Sequence, residues 1–260
     1  MGKHHKDDTL LAEENEKGSH VSNAPADNNT PAVLVLSDGK VFRGRGFGAT
    51  GTTLGEAVFT TAMTGYQETL TDPSFHRQII VATPPQIGNT GWNDEDSESH
   101  DGRIWAAGYV IRDLSRAPSN WRCERTLVDE MVKQGLIGIR QVDTRAIVRH
   151  IRDHGSMAAG VFSGADAAKP VDELVEIVRA QPSMAGADLS GEVTAGETYV
   201  IEPEGEVKAT VVAYDLGIKA NTPRELAKRG AKVVIVPANT PYPEIKKTHD
   251  PDGVFISNGP

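Results

Sequence analysis

Cysteine is almost missing: one, Cys123, occurs in 260 residues. An internal disulfide is therefore impossible, a secreted disulfide-stapled scaffold is excluded, and a reducing, cytoplasmic setting is expected. No stretch approaches the roughly 20 consecutive apolar residues of a membrane span. The opening residues, MGKHHKDDTLLAEENEKGSHVSNAPADNN, have no apolar core of the kind a signal peptide needs. Positive charge is also in short supply. Lys and Arg number 27 against 36 Asp and Glu, a formal net charge of −9, which argues against nucleic acid and anionic membrane as partners.

Apolar residues make up 38% of the chain, enough for a soluble globular protein of one large domain or two ordinary ones. Residues 1–30 are charged and aromatic-free and read as a disordered tail, with His4-His5 a solvated pair. Order is expected from Pro31. AVLVLSDGKVF sets Asp38-Gly39 between two β-rich runs, a hairpin signal. AVFTTAMTGYQETL, RQIIVATPP and IWAAGYVIRDL suggest further strands. ERTLVDEMVKQG, DTRAIVRHIRDHG and VDELVEIVRAQP carry helical periodicity, with Gly135 closing the first and Asp143 capping the second. Residues 31–190 thus form a mixed, strand-first α/β domain. The periodicity fades between about Gln181 and Glu206, so 191–208 is assigned as linker. From 209 the pattern changes. ATVVAYD, AKVVIVPA and VFIS are short apolar runs separated by helical segments, the opening of a doubly wound parallel sheet. Thr222, Pro223 and Glu225 supply a capping box for its first helix. Such sheets hold ligands outside the carboxyl ends of their strands, where LGIKAN and the final SNGP fall.

Several apparent signals dissolve on context. Gly46, Gly48 and Gly51 match GxGxxG, but TTLGEAVFTT follows where a helix N-terminus is required, so a flexible β-turn is expected instead. NDEDSESHD lacks the Gly and bidentate Glu of a calcium loop and reads as a solvated acidic loop. His150 and His154 have Ile151 where a zinc protease helix needs Glu, and are placed on the wet helix face. Cys123, in NWRCERT, has no activating motif and reads as structural. No metal ligands and no catalytic nucleophile are assigned. TAMTGYQETLTDPSFHRQI stands apart, dense in polar residues without a helix or strand period, and must make turns or contacts.

Together, LSDGKVFRGRGFGATG, GEAVFTTAMTGYQETLTDPS, PQIGNTGWNDED, GYVIRD, SNWR, VDTRAIVRHIRDHG, YDLGIKAN and PDGVFISNGP resemble the small subunit of the glutamine-hydrolysing carbamoyl-phosphate synthases, from Pro31 to Pro260. The resemblance implies a small-subunit domain over 31–190 that docks on a large synthetase subunit. Residues 209–260 would then be the start of a class I glutamine amidotransferase domain with a flavodoxin-like parallel sheet. It further implies that glutamine is hydrolysed through a cysteinyl thioester and that ammonia passes to the large subunit, which makes carbamoyl phosphate from bicarbonate and ATP for arginine and pyrimidine synthesis. ATP and magnesium belong to that partner, and no cofactor is expected on this chain. Two positions match glutamine-binding residues of the family: Ser74 in TDPS and Gly259 in SNGP. The family's nucleophilic cysteine follows SNGP and is not Cys123, so no catalytic residue is assigned and the chain as it stands is expected to be inactive. The alternative is a non-catalytic docking protein that only binds the large subunit, against which an unpaired third strand at the sheet edge argues.

Overall fold

The computed structural model describes residues 20–25 and 29–260. Its elements are β1 (His20–Pro25), β2 (Pro31–Leu36), β3 (Val41–Thr60), α1 (Tyr66–Thr71), β4 (Gln78–Ala82), β5 (Gly108–Val110), α2 (Leu127–Gln134), β6 (Ile137–Arg140), α3 (Thr144–His154), β7 (Met157–Ser163), α4 (Val171–Ala180), α5 (Ser190–Val193), β8 (Tyr199–Ile201), β9 (Ala209–Asp215), α6 (Asn221–Lys228), β10 (Ala231–Pro237), α7 (Tyr242–His249) and β11 (Gly253–Ile256). The strands fall into a seven-stranded sheet, β1–β7, and a four-stranded sheet, β8–β11.

The first sheet is organised by β3. Its opening half pairs with β2 and β6 and its closing half with β7 and β4, so the pairings return to β3 twice. A bulge at Gly48/Ala49, both opposite Ile137, bends the strand between the halves. The expected turn at 46–51 is therefore corrected. These glycines lie inside a continuous strand, and the glycine pattern permits the bend. The Asp38-Gly39 hairpin forms as expected, joining β2 to β3. The runs at 78–82 and 108–110 become β4 and β5, parallel to one another, and β6 extends them in parallel. β6 and β7 carry no strand signal of their own. IGIR and MAAGVFS are short or rich in Ala and Gly, and sheet closure rather than propensity selects them.

Two apolar layers cover this sheet. On one face α3 buries Ile147 and Ile151 against Leu34, Ile79 and Val161. Asp143 caps it, accepting from the Ala146 N–H at 3.0 Å. On the other, α2 buries Leu127 and Met131 against Trp92, Tyr109 and Phe47. Thr126 and Asp129 form a reciprocal capping box, and the helix ends at Gly135. Removing Ile147 down to Ala would cost about 2–5 kcal/mol, as is usual for a buried aliphatic.

The tail reading of 1–30 needs one correction. His20–Pro25 forms a strand antiparallel to β3, opposite residues 49–52; residues 1–19 and 26–28, with the His4-His5 pair, lie outside the described residues. The linker is corrected too. Within it α5 and β8 are regular, and β8 pairs antiparallel with β10, which recruits Tyr199 and Ile201 into the second core. Beyond it, β9, β10 and β11 are parallel, in the order β11-β9-β10-β8. Leu226 of α6 packs on one face of this sheet and Ile245 of α7 on the other, the doubly wound arrangement expected from 209 onward.

Candidate functional site

The carboxyl ends of β9 and β11 open side by side. β9 ends at Asp215, which is buried and acts as a hub. One carboxylate oxygen accepts from the N–H groups of Gly217 (2.9 Å) and Ile218 (2.8 Å), the other from Ala195 N–H (2.8 Å). These bonds fold the β9–α6 loop into a tight turn and tie it to the end of α5. β11 runs into Ser257-Asn258-Gly259-Pro260. Ser257 Oγ accepts from Leu216 N–H at 2.9 Å and donates to the Asn258 carbonyl at 2.7 Å, so the two loops are fastened together. At Gly259 a Cβ would collide with the Leu216 carbonyl oxygen. Only glycine lets the two backbones approach this closely.

Opposite these loops stands the polar stretch 61–79 of the first domain. Part of it was expected to continue as strand; instead Tyr66–Thr71 is helix α1, followed by a 3₁₀ turn at Pro73–Phe75. Side-chain hydrogen bonds place α1, which explains the missing apolar period. Gln67 is buried, donating to the Asn93 carbonyl and accepting from Asn93 N–H at 3.1 Å. Tyr66 OH donates to the Gly91 carbonyl, and burial raises the phenol's pKa. Thr71 Oγ donates to Gln67 O at 2.8 Å and accepts from Glu98 N–H at 2.9 Å. Burial, with Asp96 and Glu98 nearby, pushes the Glu68 carboxyl above the usual range.

α1 ends at Asp72, whose buried carboxylate accepts from Ser74 N–H at 2.9 Å and meets Lys219 Nζ of the second domain at 2.7 Å. That fixes Ser74, and its Oγ accepts from Asn258 Nδ2 at 3.0 Å. Of the two predicted site residues, Ser74 thus touches Asn258, the neighbour of Gly259, and not Gly259 itself. Sequence reasoning missed Asp72, Lys219 and Asn258. The only local signals were the Asp-Pro-Ser turn and the position of LGIKAN after a parallel strand.

The acidic loop is corrected in part. Asp94 and Glu95 stay exposed to water, but the loop is also partnered: Arg122 pairs with Asp96 (2.7 Å) and Glu95 (2.9 Å), Arg125 pairs with Asp94 (2.5 Å), and Ser97 and Ser99 are buried. The loop also crosses to the second domain. Glu98 caps α6, its carboxylate accepting from Asn221 N–H at 3.0 Å and its carbonyl from Ala220 N–H at 2.8 Å. The capping box expected from Thr222 and Glu225 does not form: Ala220 is the N-cap and makes no side-chain cap. His100 stacks on Tyr199 at 3.9 Å, and burial beside Asp215 pushes the Tyr199 phenol up to about 12.

One further residue, His150, leaves its expected setting, while Cys123 keeps the structural role read for it. His150 is 10% exposed rather than on the wet face, its Nε2 meeting Asp38 of the β2–β3 turn at 2.5 Å. Cys123 sits under Gly91, with Sγ donating to the Arg125 carbonyl at 3.2 Å, away from the Ser257–Pro260 loop. Among the described residues no group of three His, Cys, Asp or Glu side chains could hold a metal, and no helix is long and apolar enough to cross a membrane.

Known proteins share this arrangement of sequence. Residues 34–161 match the family described as carbamoyl-phosphate synthase small chain, CPSase domain, and residues 211–260 match glutamine amidotransferase class-I. The carbamoyl phosphate synthase small chain of Corynebacterium efficiens is 68% identical over 232 residues, covering 89% of this chain and 58% of its own. That of Corynebacterium diphtheriae is 66% identical over 233 residues, covering 90% and 61%. That of Mycobacterium tuberculosis (strain H37Rv) is 61% identical over 232 residues, covering 88% and 61%. The chain thus spans about three-fifths of the length of these curated relatives.

Proposed function

From the premise that the chain belongs to the carbamoyl-phosphate synthase small-chain family, we propose that it builds one wall of a glutamine site. Ser74 forms that wall from the first domain, and the Ser257–Pro260 loop forms it from the second. The observation that carries this reading is the hydrogen bond from Asn258 Nδ2 to Ser74 Oγ at 3.0 Å. It seats a hydroxyl able to donate or accept beside a loop whose Gly259 lacks a Cβ, where an amide and an α-amino acid headgroup need polar partners at close range.

In the whole protein, glutamine and water become glutamate and ammonia. A thiolate attacks the side-chain amide, ammonia leaves, and water cleaves the thioester. Ammonia is handed to the large synthetase chain, which consumes bicarbonate and ATP with magnesium; this chain holds no cofactor and works in the cytoplasm. Cys123 is not that nucleophile, since its thiol is engaged by the Arg125 carbonyl and roofed by Gly91. The test compares ammonia release from glutamine by the complete gene product and by the 260-residue chain, each with and without the large chain. The complete product hydrolyses glutamine and the 260-residue chain does not. A thioester trapped on Cys123 would overturn the assignment.

A further inference from the structure

A single helical turn, α5 (Ser190–Val193), touches both walls of the proposed glutamine site. Toward the second domain, Val193 packs on the β9–α6 turn. A Cβ on Gly217 would meet Val193 Cγ2 at 3.0 Å and Pro260 Cδ at 3.1 Å, so the helix and the Ser257–Pro260 loop flank the same glycine. Just beyond Val193, Thr194 Oγ accepts from Ala238 N–H at 2.8 Å, and Ala195 N–H donates to the Asp215 carboxylate at 2.8 Å. The end of α5 is thus anchored where β9 and β10 finish.

Toward the first domain α5 extends Glu192. Its Oε2 meets His76 Nε2 at 2.8 Å and its Oε1 meets the Arg77 guanidinium, so each carboxylate oxygen holds one of two consecutive residues. Both directly follow the 3₁₀ turn that carries Ser74. His76 N–H closes that turn on the Pro73 carbonyl at 3.0 Å, and the His76 ring stands edge-on to Trp105 with centroids 5.4 Å apart. Arg77 has a φ of +60°, in the left-handed region that a residue with a side chain occupies only at a cost. Its carbonyl accepts from Glu56 N–H at 3.0 Å, in the body of the first sheet. Stability alone does not account for the partner that holds this strained residue. The Glu192 side chain is 39% exposed and that of Arg77 24%, and ion pairs so open to water add little to folding.

We infer that Glu192 is a positioning residue for glutamine hydrolysis: it fixes the turn carrying Ser74 against a helix that also braces the Gly259 loop, so that the two walls keep one separation. The inference rests on the proposed function and goes beyond it by making the spacing of the walls depend on a residue outside them. Asp72, paired with Lys219, holds the same turn from its other end. Loss of Glu192 therefore displaces Ser74 without releasing it, and its effect on glutamine binding is smaller than loss of the hydroxyl itself.

The test measures glutamine-dependent kinetics of the complete gene product together with the large chain, with circular dichroism as the check on folding. Glu192→Ala should raise KM for glutamine about fourfold, with a smaller change in kcat. Glu192→Gln, which keeps an acceptor for the Arg77 guanidinium and a second polar atom for His76, should restore most of the parent's KM. In a Ser74→Ala background Glu192→Ala should add no further rise, because the hydroxyl it positions is gone. Arg77→Gly removes one of the two partners while suiting the left-handed backbone, so it should fold and raise KM about twofold even where Glu192→Ala folds poorly. A parent-like KM in folded Glu192→Ala and in Arg77→Gly would overturn the inference, as would a rise in Glu192→Ala that multiplies with that of Ser74→Ala. An unaltered KM in Ser74→Ala alone would instead contradict the glutamine-site reading, and this inference with it.

Discussion

Gly91 shows how much one residue carries. Its φ of +72° lies in the left-handed region, a Cβ there would run into Cys123 Sγ, and its carbonyl accepts from Tyr66 OH. Gly91→Ala should therefore cost about 2 kcal/mol or more through strain and overpacking together. Urea unfolding checks this, and parent-like stability would show that the loop yields freely. Because Tyr66 opens α1, the same variant should also disturb Ser74. At this scale the sequence was only partly readable. Ser74 and Gly259 stand out through motifs, and the structure sets Ser74 against Asn258, the neighbour of Gly259. Asp72, Lys219 and Asn258 do not stand out, because each acts through a partner distant in the chain, and a side chain's long-range partner leaves no local pattern. His150 misled for the same reason: helical spacing places it outward, but Asp38 turns it onto the hairpin.

Among the elements, those with strong periodicity were legible, α2, α3 and α4 and the β9–α6–β10–α7–β11 succession. Those selected by their neighbours were not. α1 is short and held by side-chain bonds, β6 and β7 are chosen by sheet closure, and β8 lies in a stretch whose composition suggests a linker. α6 is the sharpest case. Its local capping box is present in sequence yet unused, because Glu98 arrives from the other domain and accepts from Asn221 N–H. Glu98→Ala should cost about 1 kcal/mol by removing the cap and its interaction with the helix dipole. Glu98→Gln, which keeps an acceptor but not the charge, should lose less. Thermal unfolding of both variants checks the order; no loss in either would mean that the backbone contact to Ala220 does the capping alone.

For the whole molecule, the joint between domains is polar. Asp72–Lys219, Ser74–Asn258, Glu98 on α6, and Glu192 bridging His76 and Arg77 all cross it or tie the connecting α5 to it. This part was the least legible, since no sequence pattern announces which polar surfaces meet. It has a pH consequence. Burial outweighs the Glu192 ion pair and holds the His76 imidazole below the usual histidine range. Its folded pKa is thus below the unfolded one, so the unfolded chain takes up a proton first as pH falls. The contribution to stability is complete above the ordinary histidine value near 6.5 and is lost as pH drops from there through the folded pKa. His76→Gln should flatten the dependence of Tm on pH across that interval; an unchanged slope would assign it to other groups. The central claim is that Ser74 and the Ser257–Pro260 loop hold one glutamine between two domains, and the kinetics of Ser74→Ala in the complete gene product test it most directly. The account predicts that KM for glutamine rises about tenfold, the scale of one lost polar contact, with a smaller change in kcat and none in synthesis driven by free ammonia. An unaltered KM for glutamine would contradict it.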